Sequence, residues 1–433
     1  MLKYLLFLVL SLFCCQSLLA QIASNPREAD SIPEPEDGIE SHRPGSGFKI
    51  IDSKTGTLSI SPFATARYLN QSGLDDTYTD HLGRTRELDK RQDIQFQKVT
   101  IYFKGWALDP KFRYFMYIWS ANTNQGQGAQ VVVAGNLQYE INKHLDLGVG
   151  IGALPTNRSL IGQWPFWLRQ DARTMGEEYF RGSFTTGIWA QGEITKGLYY
   201  KTMLGNNLSQ LGVDAGQLDN SFDTWSNALW WTTNDYGRTL SYGDFEHHEK
   251  ISTVLGGSYT TSHETRQSQP DANDPENSQI RISDGTGIFG FDAFGPDSQV
   301  TAAHYQMAAF NGGIKYKGFS FDAEYFIRRV SDFETVGTIP VTKLEDTGFA
   351  LQGSGMLINK VLQLYSTYSY VNGEYGKPSE LTFGANWFPF KNKVLRVNPE
   401  VMIEDHSPVG YLSYPSVVGA NGIIAMINIE LFY

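Results

Sequence analysis

From Thr57 onward the chain alternates apolar and polar residues with period two. Leu58, Ile60, Pro62, Ala64, Ala66 and Tyr68 interleave with Thr57, Ser59, Ser61, Phe63, Thr65 and Arg67. Val99, Ile101 and Phe103 oppose Lys98, Thr100, Tyr102 and Lys104, and Leu147, Val149 and Ile151 oppose Asp146, Gly148 and Gly150. Phe319, Phe321, Ala323, Tyr325 and Ile327 oppose Ser320, Asp322, Glu324 and Arg328. A strand sends successive side chains to opposite faces, so each run has one oily face and one polar face. The polar faces carry charges at mid-strand, and each run is about ten residues or more, the length that crosses a bilayer at ~45° tilt.

The links between runs are unequal. Tight ones lie at Asp109-Pro110, Asn142-Lys143-His144, Lys196-Gly197, Tyr316-Lys317-Gly318, Asn359-Lys360 and Lys391-Asn392-Lys393. Long ones alternate with them at 70–91, 155–180, 209–221, 262–298 and 406–420. Short turns at one end and long loops at the other predict an all-β, transmembrane antiparallel barrel of about sixteen strands. The first predicted strand spans 57–69 and the last 421–433. In the last, Ile423, Ala425, Ile427, Ile429, Leu431 and Tyr433 share one face. A chain stopping on an aromatic after such a run resembles the signal read by the barrel-assembly machinery, with Tyr433 as the contact.

Residues 1–20 read as a secretory signal peptide: Lys3 begins it, Leu5 to Cys15 is nearly all apolar, and Ser17 to Ala20 precedes a cut before Gln21. A lipoprotein anchor at Cys14 or Cys15 fits poorly, because bulky Phe13 or Cys14 stands where a small residue is wanted. Residues 21–56 form a polar periplasmic leader with Pro26, Pro33, Pro35 and Pro44, and residues 57–433 form the barrel. Both cysteines fall inside the signal, so the exported chain carries no disulfide. These features place the protein in the outer membrane of a Gram-negative cell, in a bilayer faced with lipopolysaccharide.

Composition narrows the function. The 433 residues hold 35 Lys and Arg against 46 Asp and Glu, a formal charge of −11. Nucleic-acid binding, which calls for a basic face, is disfavoured. A multi-span helical membrane protein would need long apolar runs, and the mean hydropathy of −0.31 argues against them. No Gly-x-Ser-x-Gly or comparable signature points to an enzyme. A surface-structural or adhesive barrel with a closed lumen is the other class to weigh, and an enzymatic barrel a further one. No cofactor and no metal are implied. His247 and His248 are adjacent in Gly243-Asp244-Phe245-Glu246-His247-His248, a spacing that suits a turn and strand entry better than joint metal ligation. Trp225, Trp230 and Trp231 read as part of an interfacial aromatic girdle.

Several stretches carry a family resemblance. They are Glu178-Tyr179-Phe180-Arg181-Gly182-Ser183-Phe184-Thr185-Thr186-Gly187-Ile188-Trp189, Gly205-Asn206-Asn207-Leu208, the Gly243 to His248 run, Tyr305-Gln306-Met307, Gly313-Ile314-Lys315-Tyr316 and Asn386-Trp387-Phe388-Pro389-Phe390. Over roughly residues 47–433 the chain resembles the phosphate-selective porin O and P family. The resemblance implies a sixteen-stranded barrel, a homotrimer, and passive diffusion of small hydrophilic solutes, often anions such as phosphate. The family's arginine ladder and lysine cluster cannot be matched here position by position.

A channel of this width needs a constriction to select. The link 155–180 is the candidate for an inward-folded constriction loop. Trp164, Phe166, Trp167 and Leu168 would pack it on the wall, and Arg158, Arg169, Arg173 and Arg181 would supply forked anion contacts. The competing reading pairs these arginines with Asp171, Glu177 and Glu178, so that they only brace the loop. The predicted polar faces add Arg67, Lys98, Lys104, Arg113, Lys201, Lys315, Arg328 and Arg396. Against them stand Glu140, Asp146, Glu193, Asp322, Glu324, Glu380, Glu400 and Glu404. The two sets balance, so the wall alone predicts no strong ion preference. Lys98, Lys104, Arg113 and Lys201 would form a basic approach to the constriction.

Overall fold

A computed structural model describes residues 44–121, 130–161, 167–170, 172–209, 222–237, 240–265, 280–410 and 414–433. The expected signal peptide and most of the leader lie outside them. Sixteen strands close into one antiparallel cylinder, each paired with its neighbours in chain order. They are β2 (Gly56–Leu74), β5 (Gln92–Ala107), β6 (Asp109–Ala121), β7 (Gln130–Asn142), β8 (Leu145–Ala153), β9 (Phe184–Thr195), β10 (Leu198–Gly205) and β11 (Thr224–Thr232). The circuit continues with β12 (Ser252–Thr265), β13 (Gln299–Tyr316), β14 (Phe319–Val336), β15 (Lys343–Ile358), β16 (Leu362–Asn372), β17 (Ser379–Trp387), β18 (Leu395–Asp405) and β19 (Gly422–Phe432). The last strand closes on the first, from Gly422 opposite Leu74 to Phe432 opposite Phe63. Closure leaves the wall no long unpaired edge.

Among the described residues, three short strands stand outside this circuit. β1 (Phe48–Ser53) pairs with the start of β2, Phe48 opposite Ile60. It occupies the side of β2 that β19 leaves at Phe63, so it prolongs the line of the last strand; the Phe48 and Tyr433 rings lie 4.5 Å apart. β3 (Thr77–Thr79) and β4 (Thr85–Glu87) form a small hairpin in the first long link.

The alternation sets the two faces of the wall. In β19, Ile423, Ile427, Ile429 and Leu431 are exposed, while Ile424, Met426, Asn428, Glu430 and Phe432 are buried. The same holds around the cylinder: Val133, Val149, Ile188, Phe321 and Ile327 point outward, and Arg67, Asp322, Arg328, Glu380, Arg396 and Glu400 point inward. A soluble sandwich does the reverse. An apolar belt of this extent would be an aggregation site in water and is a stable surface against acyl chains.

Two local features adjust the pattern. The β2–β5 register slips between Thr65 and Ala66, which face Lys98 and Phe96. This bulge buries the consecutive residues Gln97 and Lys98 together, so Gln95 and Lys98, of opposite parity, both face inward. The β13–β14 turn uses Lys317 at φ 48° and Gly318 at φ 85°, the paired positive values that match the twist of a two-residue hairpin.

The short links gather at the end that also holds the chain terminus Tyr433. One link at this end breaks the rule. Residues 233–251, between β11 and β12, form a long segment whose Tyr236, Leu240, Tyr242 and Phe245 are buried. Trp230 also departs from expectation. Trp225 and Trp231 are 43% and 46% exposed on the outer face, whereas Trp230 is 3% exposed and faces inward on Tyr199, rings 5.8 Å apart. It is therefore not part of an outer girdle, because neighbours in a strand take opposite faces.

Candidate functional site in the barrel interior

The link from β8 to β9 lies against inward-facing residues of strands far round the cylinder from its own. Gln170 donates to Thr65 Oγ1 of β2 at 2.9 Å, Asn386 of β17 donates to the Leu168 carbonyl at 2.9 Å, and Arg396 of β18 donates to the Trp167 carbonyl at 2.8 Å. Tyr305 of β13 donates to the Phe180 carbonyl at 2.8 Å. Apolar contact fixes it further, with Leu154, Met175 and Phe180 fully buried and the Phe180 and Phe326 rings stacked at 5.0 Å. Of the expected anchors, Trp167 and Leu168 are buried here, while Trp164 and Phe166 lie outside the described residues.

A short helix, α1 (Met175–Phe180), stiffens the link. Thr174 caps it and Glu177 reaches back to the Thr174 amide, a reciprocal box that satisfies two end donors. The Glu380 carboxylate accepts from the Met175 amide, tying the helix start to β17.

Each of the four link arginines meets a carboxylate. Arg158 Nη1 lies 2.7 Å from Asp322 Oδ1 on β14. Arg169 spans two strands, with Nη1 at 2.5 Å from Glu380 and Nη2 at 2.7 Å from Glu400. Its Nε also donates to Glu400, giving the two-point fork that suits a planar guanidinium. Arg173 and Arg181 share Glu178, Arg173 at 3.3 Å. The partners are thus four carboxylates for four arginines, and three of those carboxylates belong to the far wall rather than to the link. Asp171 lies outside the described residues. Glu177 instead accepts from Tyr242 and Gln352.

The surroundings keep these groups ionised. Burial alone would raise the Glu178 carboxyl, but Arg181 and then Arg173 overcome it and hold it at about 2. Burial works against the charge on Arg158, and Asp322 together with Tyr236 and Tyr242 outweighs it, so this guanidinium sits above its ordinary range. Burial pushes the Tyr242 hydroxyl well up, and Glu177 adds to it, so Tyr242 is a permanent donor.

The second segment enters from the opposite end. Arg158 donates to the Leu240 carbonyl at 3.2 Å and lies over the Tyr242 ring at 4.4 Å. Asp244 accepts from the His248 ring at 2.5 Å and from the Gly318 amide at 2.7 Å, which fixes the base of the segment. Links from both ends of the cylinder therefore meet at Arg158. Among the described residues no group of three His, Asp or Glu is placed to hold a metal. The aromatic spacing of 155–180 points to an inward fold, but nothing in the 233–251 stretch distinguishes it from an ordinary polar link.

The basic approach residues all face inward and all have partners. Lys98 lies over the Trp119 ring at 5.5 Å, and Lys104 donates to the Gly45 carbonyl. Arg113 lies 2.8 Å from Asp146 and 3.5 Å from Glu140, and Lys201 donates to the Ala153 carbonyl at 2.8 Å. Burial divides the inner wall. Inward residues of β13–β19 such as Asp322, Arg328, Glu380, Asn398 and Glu430 are covered. On β6–β10 the inward residues Arg113, Phe115, Tyr117, Trp119, Asn136, Gln138, Glu140, Gln191 and Tyr199 remain half-exposed, although Ala134, Asp146, Trp189 and Met203 of the same strands are buried. Arg113 and Glu140 keep 40% and 44% of their side-chain surfaces.

Comparison with known proteins places the fold among bacterial outer-membrane porins. An anion-selective porin from Comamonas acidovorans superposes with a TM-score of 0.54 at 10% identity, over 87% of this chain and 100% of that one. OmpT, an outer membrane protein of Vibrio cholerae, in its trimer form, gives 0.53 at 12% identity over 88% and 100%. OmpF from Salmonella typhi, in complex with daunomycin, gives 0.52 at 13% identity over 89% and 100%. No family model matches the chain, so the porin O and P resemblance rests on its motifs alone. No curated protein matches it.

Proposed function

We propose that this protein is an outer-membrane porin through which small hydrophilic solutes diffuse down their gradients. The observation that carries the reading is the division of the wall: a predominantly oily exterior, a charged interior, and a half-exposed polar strip on β6–β10. A sixteen-stranded cylinder leaves room for water between that strip and the covered wall. Export to the outer membrane of a Gram-negative cell, insertion by the barrel-assembly machinery through Tyr433, and contact with lipopolysaccharide belong to the same proposal. So does a homotrimer, for which the trimer form of the Vibrio cholerae relative is the support.

The link 155–183 is the proposed constriction element, and Arg158, Arg169, Arg173 and Arg181 set its shape. Because their charges are matched, and Arg113 is likewise held by Asp146 and Glu140, any preference for anions such as phosphate falls to the lysines of β5 and β10: Lys98, Lys104 and Lys201.

The extensive covering of β13–β19 favours one other reading, a surface-structural barrel with a closed lumen. Recordings in planar bilayers separate the two. Stepwise conductance supports the porin, and its absence from correctly folded protein rejects it. The reversal potential in asymmetric potassium chloride, then in potassium phosphate, tests the anion preference.

A further inference from the structure

We propose that the half-exposed row Phe115, Tyr117 and Trp119 on the inner face of β6, with the polar side chains of β7 and β9 beside it, is a binding trough for carbohydrate. The proposal rests on the porin reading, since solute must enter the lumen to meet it, and it adds the class of solute.

The geometry is that of an extended track. Residues two apart on a strand face the same way about 6.8 Å apart along it. Phe115, Tyr117 and Trp119 therefore form a ladder running along the channel, the Phe115 and Tyr117 rings 5.7 Å apart. Next to the ladder, Phe115 pairs in register with Asn136 and Arg113 with Gln138. Beyond them Asn136 faces Gly150, Gln138 faces Gly148, and Glu140 faces Asp146. β8 presents Gly148, Gly150 and Gly152 inward, so no side chain of its own rises there. The Trp189 ring lies along this bare strip: a Cβ built on Gly148 would fall 2.1 Å from it, and one on Gly152 3.0 Å.

The chemistry of the lining selects among solutes. A purely apolar ligand would cover the remaining amide groups of Gln138 and Gln191 and the half-exposed Glu140 carboxylate without replacing the water they meet, which is costly. A simple anion would meet, beside the ladder, an Arg113 already held by the two carboxylates Asp146 and Glu140. A pyranose needs both parts of the trough. Its C–H faces lie on aromatic rings, and its hydroxyls donate to and accept from amides and carboxylates. Gln138 and Gln191 each commit one amide hydrogen, to Asn136 at 2.8 Å and to Asp146 at 3.0 Å, which keeps the rest of each amide for a ligand and fixes its direction.

The test uses the full barrel and two probes, maltohexaose and cellohexaose. In planar bilayers, addition of either probe should interrupt the open-channel current of the native protein. Phe115→Leu with Tyr117→Leu keeps apolar side chains but removes the rings, and should weaken the interruption about tenfold or more while keeping the open conductance. Equilibrium titration of the detergent-held barrel with the same probes reads the trough independently of conduction. Native protein that conducts yet shows neither interruption nor titratable binding overturns the trough and leaves the porin reading intact. Native protein that binds a probe without conducting overturns the porin reading and leaves the trough intact. A double variant that folds and binds as well as the native barrel overturns the assignment to these rings.

Discussion

Arg158 and Asp322 meet at 2.7 Å, each with about 1% of its side chain exposed, one on the link after β8 and the other on β14. The contact joins two parts of the sequence that no local pattern relates, and it sits where links from both ends of the cylinder converge. Removing a single member leaves an uncompensated buried charge. Arg158→Met is expected to cost about 3–5 kcal/mol of folding free energy, and Arg158→Met with Asp322→Leu to recover most of it. Urea unfolding in micelles measures both. Equal loss in the single and double variants would show that the pair does not act as a unit.

Arg169 compensates two glutamates at once. Arg169→Ala together with Arg173→Ala leaves Glu380 and Glu400 without their guanidinium and leaves Glu178 to Arg181 alone. The interior becomes more negative by two charges, and permeation should shift toward cations. Reversal potentials in asymmetric salt read the shift directly; unchanged values would remove these arginines from the selectivity of the channel.

The Glu178 carboxyl is held at about 2 against an ordinary value of 4.5. A depressed carboxylate contributes its stability in full above the unfolded value and loses it as pH falls toward the folded one. The link should therefore keep its place from neutral pH down to about 4.5, and loosen between there and about 2. Arg181→Gln should move that loosening to higher pH. Protease cleavage within 155–183 as a function of pH checks both statements, and an unshifted profile in Arg181→Gln would contradict the stated cause.

Ile427 stands at the middle of β19 on the outer face, 49% exposed, beside inward-facing Asn428. Ile427→Arg should destabilise the barrel in phospholipid vesicles by about 2–4 kcal/mol, the cost of a cation at the bilayer midplane. Unfolding measured in vesicles would show no such cost if this face did not meet lipid.

The alternation, taken with the unequal links, is enough to indicate an antiparallel barrel of about sixteen strands, to place its first and last strands at 57–69 and 421–433 against Gly56–Leu74 and Gly422–Phe432, and to set the sign of each face. Period two is a local property: once one face of a strand is oily, the pleat assigns every other residue. That is why the amino-acid pattern by itself turns Lys98, Lys104, Arg113 and Lys201 inward. Two details depart from the expected pattern. Trp230 follows the pleat away from Trp225 and Trp231, and the Gln97–Lys98 bulge is a slip against β2 that neither strand's own pattern contains.

What tertiary structure alone decides lies in the links. The aromatic cluster of 155–180 indicates that this segment folds inward, but not that Arg158 and Arg169 find their carboxylates on β14, β17 and β18. Those partners come together only because the cylinder closes and brings its far wall within reach of the link. The inward course of the segment between β11 and β12, and the part of the wall that stays open on β6–β10, follow from the same closure. Sequence period specifies which way a side chain points; which group it meets across a lumen depends on distances that only the closed sheet defines.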